Sequence, residues 1–389
     1  MCPPKSDTSL SPLSLFLIAI IPMKSILCFC AFFSALALFA EESGKSTTDW
    51  KADWITVNGL PEYATPEYEA SEYEPPEYRL NNFWMTFRKS FELRKVPEKA
   101  ICRIACDSKY RLYVNGEMVV ADGQLKRDPK LNGTYYDVVD LSNHLKPGKN
   151  AVAVLVRYFG KDGLEHKDSG IPGLLFDLQT DGFELLSDAT WKATPYTKFE
   201  ANAPAWADHP YSAYERTTAD PQPAARFSES NIRYDARFEF KGNWIALGFD
   251  DSDWPAAKTL GKPPIAPWNA LHERPIPLGK VHDIDDYVNK SEIPAVSDGR
   301  PIVCKLPRLM HITPLLKVDA PDGYAVDIRT DLYNHNGEYG VRAEYIAKSG
   351  VQEYESPGRL NGHAVIYTLP AGVKILSLQY READNDAVQ

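Results

Sequence analysis

Apolar and polar residues alternate with a period of two along most of the chain from Phe83 onward. FWMTFRKSFEL (83–93) and KAICRIACDSKYRLYVNGEMVVADG (99–123) carry this pattern, which predicts half-buried β-strands. Asn115-Gly116 lies between YRLYV and EMVV and predicts a tight hairpin. The segment TYYDVVDLSNHLKPGKNAVAVLVRYF (134–159) then predicts a strand, a short helical turn at 141–145, a Pro-Gly turn and a fully apolar strand. GLLFDLQT and FELLSDATWKATP continue the pattern, and no helix longer than about three turns is indicated after residue 40. From about Val281 to Tyr380 a second set of alternating segments follows, including IVCKLPRLMHITPLLKV, YAVDIRTDLY and VKILSLQYRE. The pattern predicts an all-β chain: a jelly-roll-like β-sandwich over 48–282, interrupted by a Pro- and Ala-rich excursion at 198–232, then a second, smaller β-sandwich over 283–382.

The chain has 389 residues, enough for two or three domains of ordinary size. Its net charge of −10 argues against non-specific nucleic-acid binding and against an anionic membrane surface. Met23-Lys24-Ser25 followed by the apolar run Ile26–Ala40 has the layout of a secretory signal peptide (23–40), with cleavage after Ala37 or near Ala40. Residues 1–22 then read as an upstream extension before a true start at Met23, the alternative being an uncleaved anchor. Export to the periplasm or the extracellular space follows, with no membrane span in the mature chain, because nothing past Ala40 is apolar enough. Within 41–82 the unit Pro/Ser-Glu-Tyr recurs four times at a period of five and reads as an extended linker. Cys102, Cys106 and Cys304 remain after cleavage. Cys102 and Cys106 sit four strand residues apart, roughly 13 Å, too far for a disulfide.

The stretch GFDDSDWPAAK (248–258) crowds Asp250, Asp251 and Asp253 against Trp254. Glycosidic hydrolysis needs two carboxylates on opposite sides of a bond, roughly 5–9.5 Å apart. Neighbours on one loop rarely oppose each other in that way. A calcium loop needs ligands at alternate positions and a glycine turn, and no glycine falls inside the run. The stretch therefore reads as a structural turn, capped by Asp and Ser side chains, with Trp254 as its anchor. The candidate ligand contacts lie elsewhere: Asp128 and Asn132 in the loop 126–133, and Trp206, Tyr211 and Tyr214 as rings able to stack on a pyranose. Each of these also has a structural reading, as turn-formers or as packing. The histidines are scattered without metal-ligand spacing, and neither a nucleophile elbow nor a phosphate-binding glycine loop occurs.

DSKYRLYVNGEMV followed by TYYDVVDLSNHLKPGKNAVAVLV resembles the N-terminal β-sandwich of bacterial α-L-rhamnosidases. SDATWKATP, NIRYDARFEF and APWNALHERPIPLGK are similar to phrases of that family in the same order, and GFDDSDWPAAK to one found in galactose-binding-like sandwiches of glycosidases. The likeness covers about residues 48–382. It implies glycoside hydrolases whose acid and base carboxylates belong to a C-terminal α/α barrel. This chain ends where that barrel would begin, so none of its acidic residues is carried over as catalytic. In some members a related sandwich binds rhamnose through calcium. By position, its ligand loops correspond to Asp128, Asn132 and Tyr158 or Phe159 here, although the family loop usually offers a Trp. The resemblance implies no required cofactor, with calcium as an option. It also implies a rhamnose-containing glycan or other carbohydrate as partner, together with a separately encoded catalytic barrel. Three readings follow: a truncated, accessory carbohydrate-binding and structural region that is inactive alone; an autonomous exported carbohydrate-binding protein; or an active hydrolase of α-L-rhamnosides.

Overall fold

The strand Gly148–Tyr158, GKNAVAVLVRY, explains why alternation gives way to a continuous apolar run. In the computed structural model Val152, Val154 and Val156 face one core, while Ala153 and Leu155 face another. A strand covered on both faces has no side left for polar residues. Each buried Val or Leu is worth roughly 1.5–3 kcal/mol, so two cores depend on this one strand. The structure describes residues 49–60, 83–124, 133–160, 169–196, 211–212, 232–332 and 342–383, all within one compact unit, 46–389.

Gly148–Tyr158 is central in a five-stranded middle sheet with Phe83–Leu93, Lys109–Val114, Glu117–Gly123 and Lys192–Pro195. Its partner is a seven-stranded outer sheet that includes Trp54–Thr56, Ile101–Asp107, Gly133–Asp140 and Gly173–Thr180. Between the two lies a core of Phe83, Met85, Phe87, Ile104, Leu112, Val154, Phe176 and Trp191, among others. This is the first sandwich. Its outer sheet is also covered: Trp54 and Trp268 stack at 4.1 Å with an interplanar angle of 12°, beside Trp50 and Leu271. Gly173 runs so close beneath them that a Cβ would come within 2.8 Å of the Trp268 ring.

The hairpin turn has φ 55° at Asn115 and φ 90° at Gly116, with Val114 opposite Glu117. Positive φ at both central residues is the geometry for which Asn-Gly is selected. Residues 141–145 form a single turn closed by the His144 N–H to the Leu141 carbonyl (3.0 Å). Cys102, Cys106 and Cys304 are buried free thiols, and burial pushes all three well above the ordinary thiol range.

A third, nine-stranded sheet forms the second half. Its organiser is the nineteen-residue strand Ile302–Ala320. The first part of this strand pairs with Leu360–Thr368, and the later part with Gly350–Glu355 and Lys374–Glu382. The register breaks between Lys305 and Met310, where Pro307 lacks the N–H a regular ladder would require. Ile232–Asp235 pairs parallel with Arg342–Ile346 of this sheet, although its place in the sequence falls within the range read for the first sandwich. The chain then returns: Lys258–Gly261 pairs with Trp54–Thr56, and Ala270–Glu273 runs parallel to Gly133–Asp140. Local alternation identifies a strand but not the sheet that receives it.

The middle sheet's other face (Trp84, Tyr113, Ala153, Leu155) joins the core of the third sheet (Tyr234, Ile312, Val326, Tyr345, Val365) in one continuous cluster. The fold is all-β. The described residues contain only two short 3-10 turns, Ala236–Phe238 and Lys290–Glu292, and no helix among them is long and apolar enough to cross a membrane.

Candidate functional site

The three aspartates of GFDDSDWPAAK have different surroundings. Asp250 accepts the Ser252 N–H at 3.0 Å, and the hydrogen bonds from Ser252 hold its carboxyl below the usual range. Asp251 Oδ2 lies 2.8 Å from Nε of Arg88, a side chain with no exposed surface. Asp253 faces solvent. Arg88 Nη2 also donates to the carbonyls of Ala246 (2.9 Å), Leu247 (3.3 Å) and Phe249 (3.4 Å). Lys192 reaches the carbonyls of Ser252 (3.2 Å) and Trp254 (2.8 Å). Trp254 packs against Phe240 and Phe249 at 4.8 and 5.6 Å. The three carboxylates therefore do not converge on a common point, as transfer of a proton across a substrate bond requires.

Asp128, Asn132, Trp206 and Tyr214 lie outside the described residues. Tyr211 is described only as backbone, in the short strand Tyr211–Ser212 opposite Tyr234 and Arg233. Tyr158 is only 2% exposed and belongs to the sandwich core, and Phe159 is buried beside it. Their rings fill the interior. The calcium expectation rests on the loop 126–133, which is also outside the described residues except for Gly133. Among the described residues no group of three or more His, Cys, Asp or Glu side chains is placed to hold a metal.

What the structure does build at this end of the sandwich is a buried polar network that the sequence did not single out. Asp137 Oδ2 accepts from the Tyr110 hydroxyl (2.8 Å) and from the Gln124 N–H (2.8 Å), while Oδ1 meets Arg274 Nε at 2.5 Å. Gln124 is fully buried. Its Oε1 accepts the Cys106 N–H at 2.6 Å, which fixes the amide, and its Nε2 has no acceptor. An unmet buried donor costs about 1–3 kcal/mol unless a ligand or water completes it. Ser108 Oγ accepts the Phe159 N–H at 3.1 Å, tying the neighbouring connections together. The available signal was Asp137 itself, an acid inside the apolar run TYYDVV.

A second polar feature lies between the two sandwiches. Ala121 and Asp122 of the middle sheet, Gly279 and Lys280 of the connection, and Thr313, Arg359, Arg381 and Glu382 of the third sheet and its loops line a small, open cleft. Asp122 lies 3.0 Å from Lys109 and 2.7 Å from Arg359. Glu355, behind Thr313 and Arg381, accepts from Arg381 Nε and Nη2 (both 3.1 Å) and from Thr313 (2.8 Å), and Arg111 lies 4.0 Å away. Burial alone would raise both carboxyls. The cations and the Thr313 hydroxyl outweigh it, and Asp122 and Glu355 are both held below their ordinary values. Carboxylates held ionised in this way are poor proton donors. The ion pairs brace the cleft between the two halves.

No protein-family model matches the chain, and no curated protein matches it. Solved structures do. A GH78 family rhamnosidase from Bacillus sp. GL1 is similar at a TM-score of 0.61 and 17% identity over 86% of this chain and 55% of its own. An α-L-rhamnosidase from Dictyoglomus thermophilum gives 0.57 and 23% over 86% of this chain and 36% of its own. One from Streptomyces avermitilis, solved with L-rhamnose, gives 0.54 and 20% over 79% and 29%. The chain thus spans between under a third and just over half of each enzyme's length, and at these identities what is shared is the fold: the described sandwiches have the architecture of part of an α-L-rhamnosidase.

Proposed function

We propose that the chain acts as a non-catalytic, carbohydrate-facing region of an α-L-rhamnosidase-like protein, exported by means of the run Ile26–Ala40. The observation that carries this reading is the fold likeness itself, which covers most of this chain and only part of each enzyme. The ion-paired carboxylates of the cleft favour binding over hydrolysis. An aryl α-L-rhamnoside should therefore pass through the purified protein unhydrolysed, while a rhamnose-containing oligosaccharide binds. Affinity near 1 mM, about −4.1 kcal/mol, is sufficient for such a module. Release of the aryl group at a rate that follows protein concentration would reverse the reading in favour of a hydrolase.

A further inference from the structure

The loop FEFKGNWIALGF (238–249) is strongly apolar, yet it does not bury its large side chains. Phe238 is 42% exposed, and Phe240, Trp244, Ile245, Leu247 and Phe249 remain half-buried. The backbone of the loop is pinned from beneath. Arg88 holds the carbonyls of Ala246, Leu247 and Phe249, and Asn243 Oδ1 accepts the Ile245 N–H at 3.3 Å. The half-exposed rings are therefore a fixed part of the surface, and a contiguous apolar patch of this kind marks a contact site. Trp244 is surrounded by four rings: Tyr113 (5.9 Å, 75°), Tyr196 (6.1 Å, 47°), Phe240 (6.4 Å, 68°) and Trp254 (6.3 Å, 34°). All four are inclined to the indole and none stacks on it, unlike Trp54 and Trp268 at 4.1 Å and 12°. Among the described residues the Trp244 N–H meets no acceptor, and it is not enclosed as those of Trp50, Trp54 and Trp268 are. Lys241 and Asn243, both exposed, flank it, and Lys241 forms no ion pair among the described residues.

We infer that the indole of Trp244 is the stacking platform for a neutral 6-deoxy sugar, a rhamnosyl unit whose hydroxyls are taken at the rim by the Lys241 ammonium, the Asn243 amide and the indole N–H. The inference rests on the carbohydrate-facing reading above and gives that reading a site. A ring face free of stacked neighbours matches the C–H face of a pyranose, and a few polar groups at its edge fix the orientation. The C6 methyl of rhamnose extends the apolar face, where a 6-hydroxyl would have to give up water without a partner. The ligand carries no charge, so its affinity changes little with salt.

Calorimetric titration of the purified protein with methyl α-L-rhamnoside and with its 6-hydroxy analogue, methyl α-L-mannoside, tests this, with indole fluorescence followed in parallel. The rhamnoside should bind saturably and shift the fluorescence, and the mannoside should bind several-fold more weakly. Trp244→Phe, which keeps a smaller ring in the aromatic cluster, should lower rhamnoside affinity about tenfold. Lys241→Ala, at the exposed rim, should lower it several-fold with the fold intact, which covers the case in which Trp244→Phe unfolds. Lys374→Gln, on an exposed pair with Asp319, should change nothing. Wild-type affinity in both Trp244→Phe and Lys241→Ala, or equal binding of the two glycosides, would overturn the inference and leave the carbohydrate-facing reading standing, because the sugar still binds. Failure of the wild type to bind either the rhamnoside or a rhamnose-containing oligosaccharide would overturn both. Dimers in sedimentation that Trp244→Phe abolishes, with no sugar bound by the wild type, would assign the ring to a contact between copies of the chain and likewise overturn the inference.

Discussion

Arg88 falls on the strand face where alternation predicts a solvated polar residue, yet its side chain has no exposed surface. It shares the face of Trp84 and Thr86, and the loop 246–251 closes over it. The Asp251 carboxylate neutralises it, and three loop carbonyls take up Nη2. Asp251→Asn leaves a guanidinium with no exposed surface and no counter-charge, a change that costs about 3–5 kcal/mol. The double variant Arg88→Met/Asp251→Asn should recover part of that loss, because no buried charge remains, though the three carbonyls stay unmet. Urea unfolding of the two single variants and the double should give a clear coupling, and strict additivity would mean that the pair does not act as one unit. Trp254→Ala should also cost about 3–5 kcal/mol, as a large ring leaves a packed aromatic cluster. Asp253→Asn should leave the midpoint within error. The turn and its tryptophan could be read from GFDDSDW, since Asx capping and an anchoring ring are local. Arg88, more than 150 positions earlier, could not be read as the partner, because pairing across that distance depends on the sheet order.

At the scale of elements, alternation and turn chemistry carry most of the information, and close approach carries what they omit. The Asn115-Gly116 turn is legible because it depends on two backbone angles. Gly116→Ala meets no steric clash, its Cβ lying 3.5 Å from Ala246 Cα, so the cost is the left-handed backbone alone, about 1–2 kcal/mol. Gly123 looks like an ordinary strand end, yet a Cβ there would fall 2.1 Å from the Tyr110 ring. Gly123→Ala must displace a ring whose hydroxyl holds Asp137, and should destabilise more than Gly116→Ala. Hydrogen exchange at Gln124 and Cys106 should rise in the Gly123 variant and stay unchanged in the Gly116 variant, since only the former reaches the Asp137 network. Protection at those two amides equal to wild type would show that Tyr110 can move without releasing Asp137. The excursion at 198–232 marks the limit of local reading. Its exit strand, Ile232–Asp235, pairs parallel with a partner more than a hundred residues later.

Across the whole molecule, the sandwiches meet through both an apolar face and a charged one, and the charged one gives the assembly a pH dependence. Asp122 and Glu355 have folded values below their unfolded ones, near 4, so their contribution is complete above that range. It is lost as pH falls through the folded values, when the carboxyls protonate and release Lys109, Arg359, Arg111 and Arg381. Glu344 behaves in the opposite sense. Burial raises it, with only partial relief from Arg233, so its contribution is larger at low pH and declines as pH rises through the folded value. Glu355→Gln should therefore flatten the acid limb of stability, with most of its cost at pH 7 and little at pH 3. Glu344→Gln should cost less than Glu355→Gln at pH 7 and should leave the acid limb steep. Urea midpoints from pH 3 to 7 for wild type and both variants separate these cases. An acid limb unchanged in Glu355→Gln would place the acid-sensitive contacts within the individual sandwiches, and the cleft between them would then owe its stability to the apolar contact of Trp84, Tyr113 and Leu155 with the third sheet.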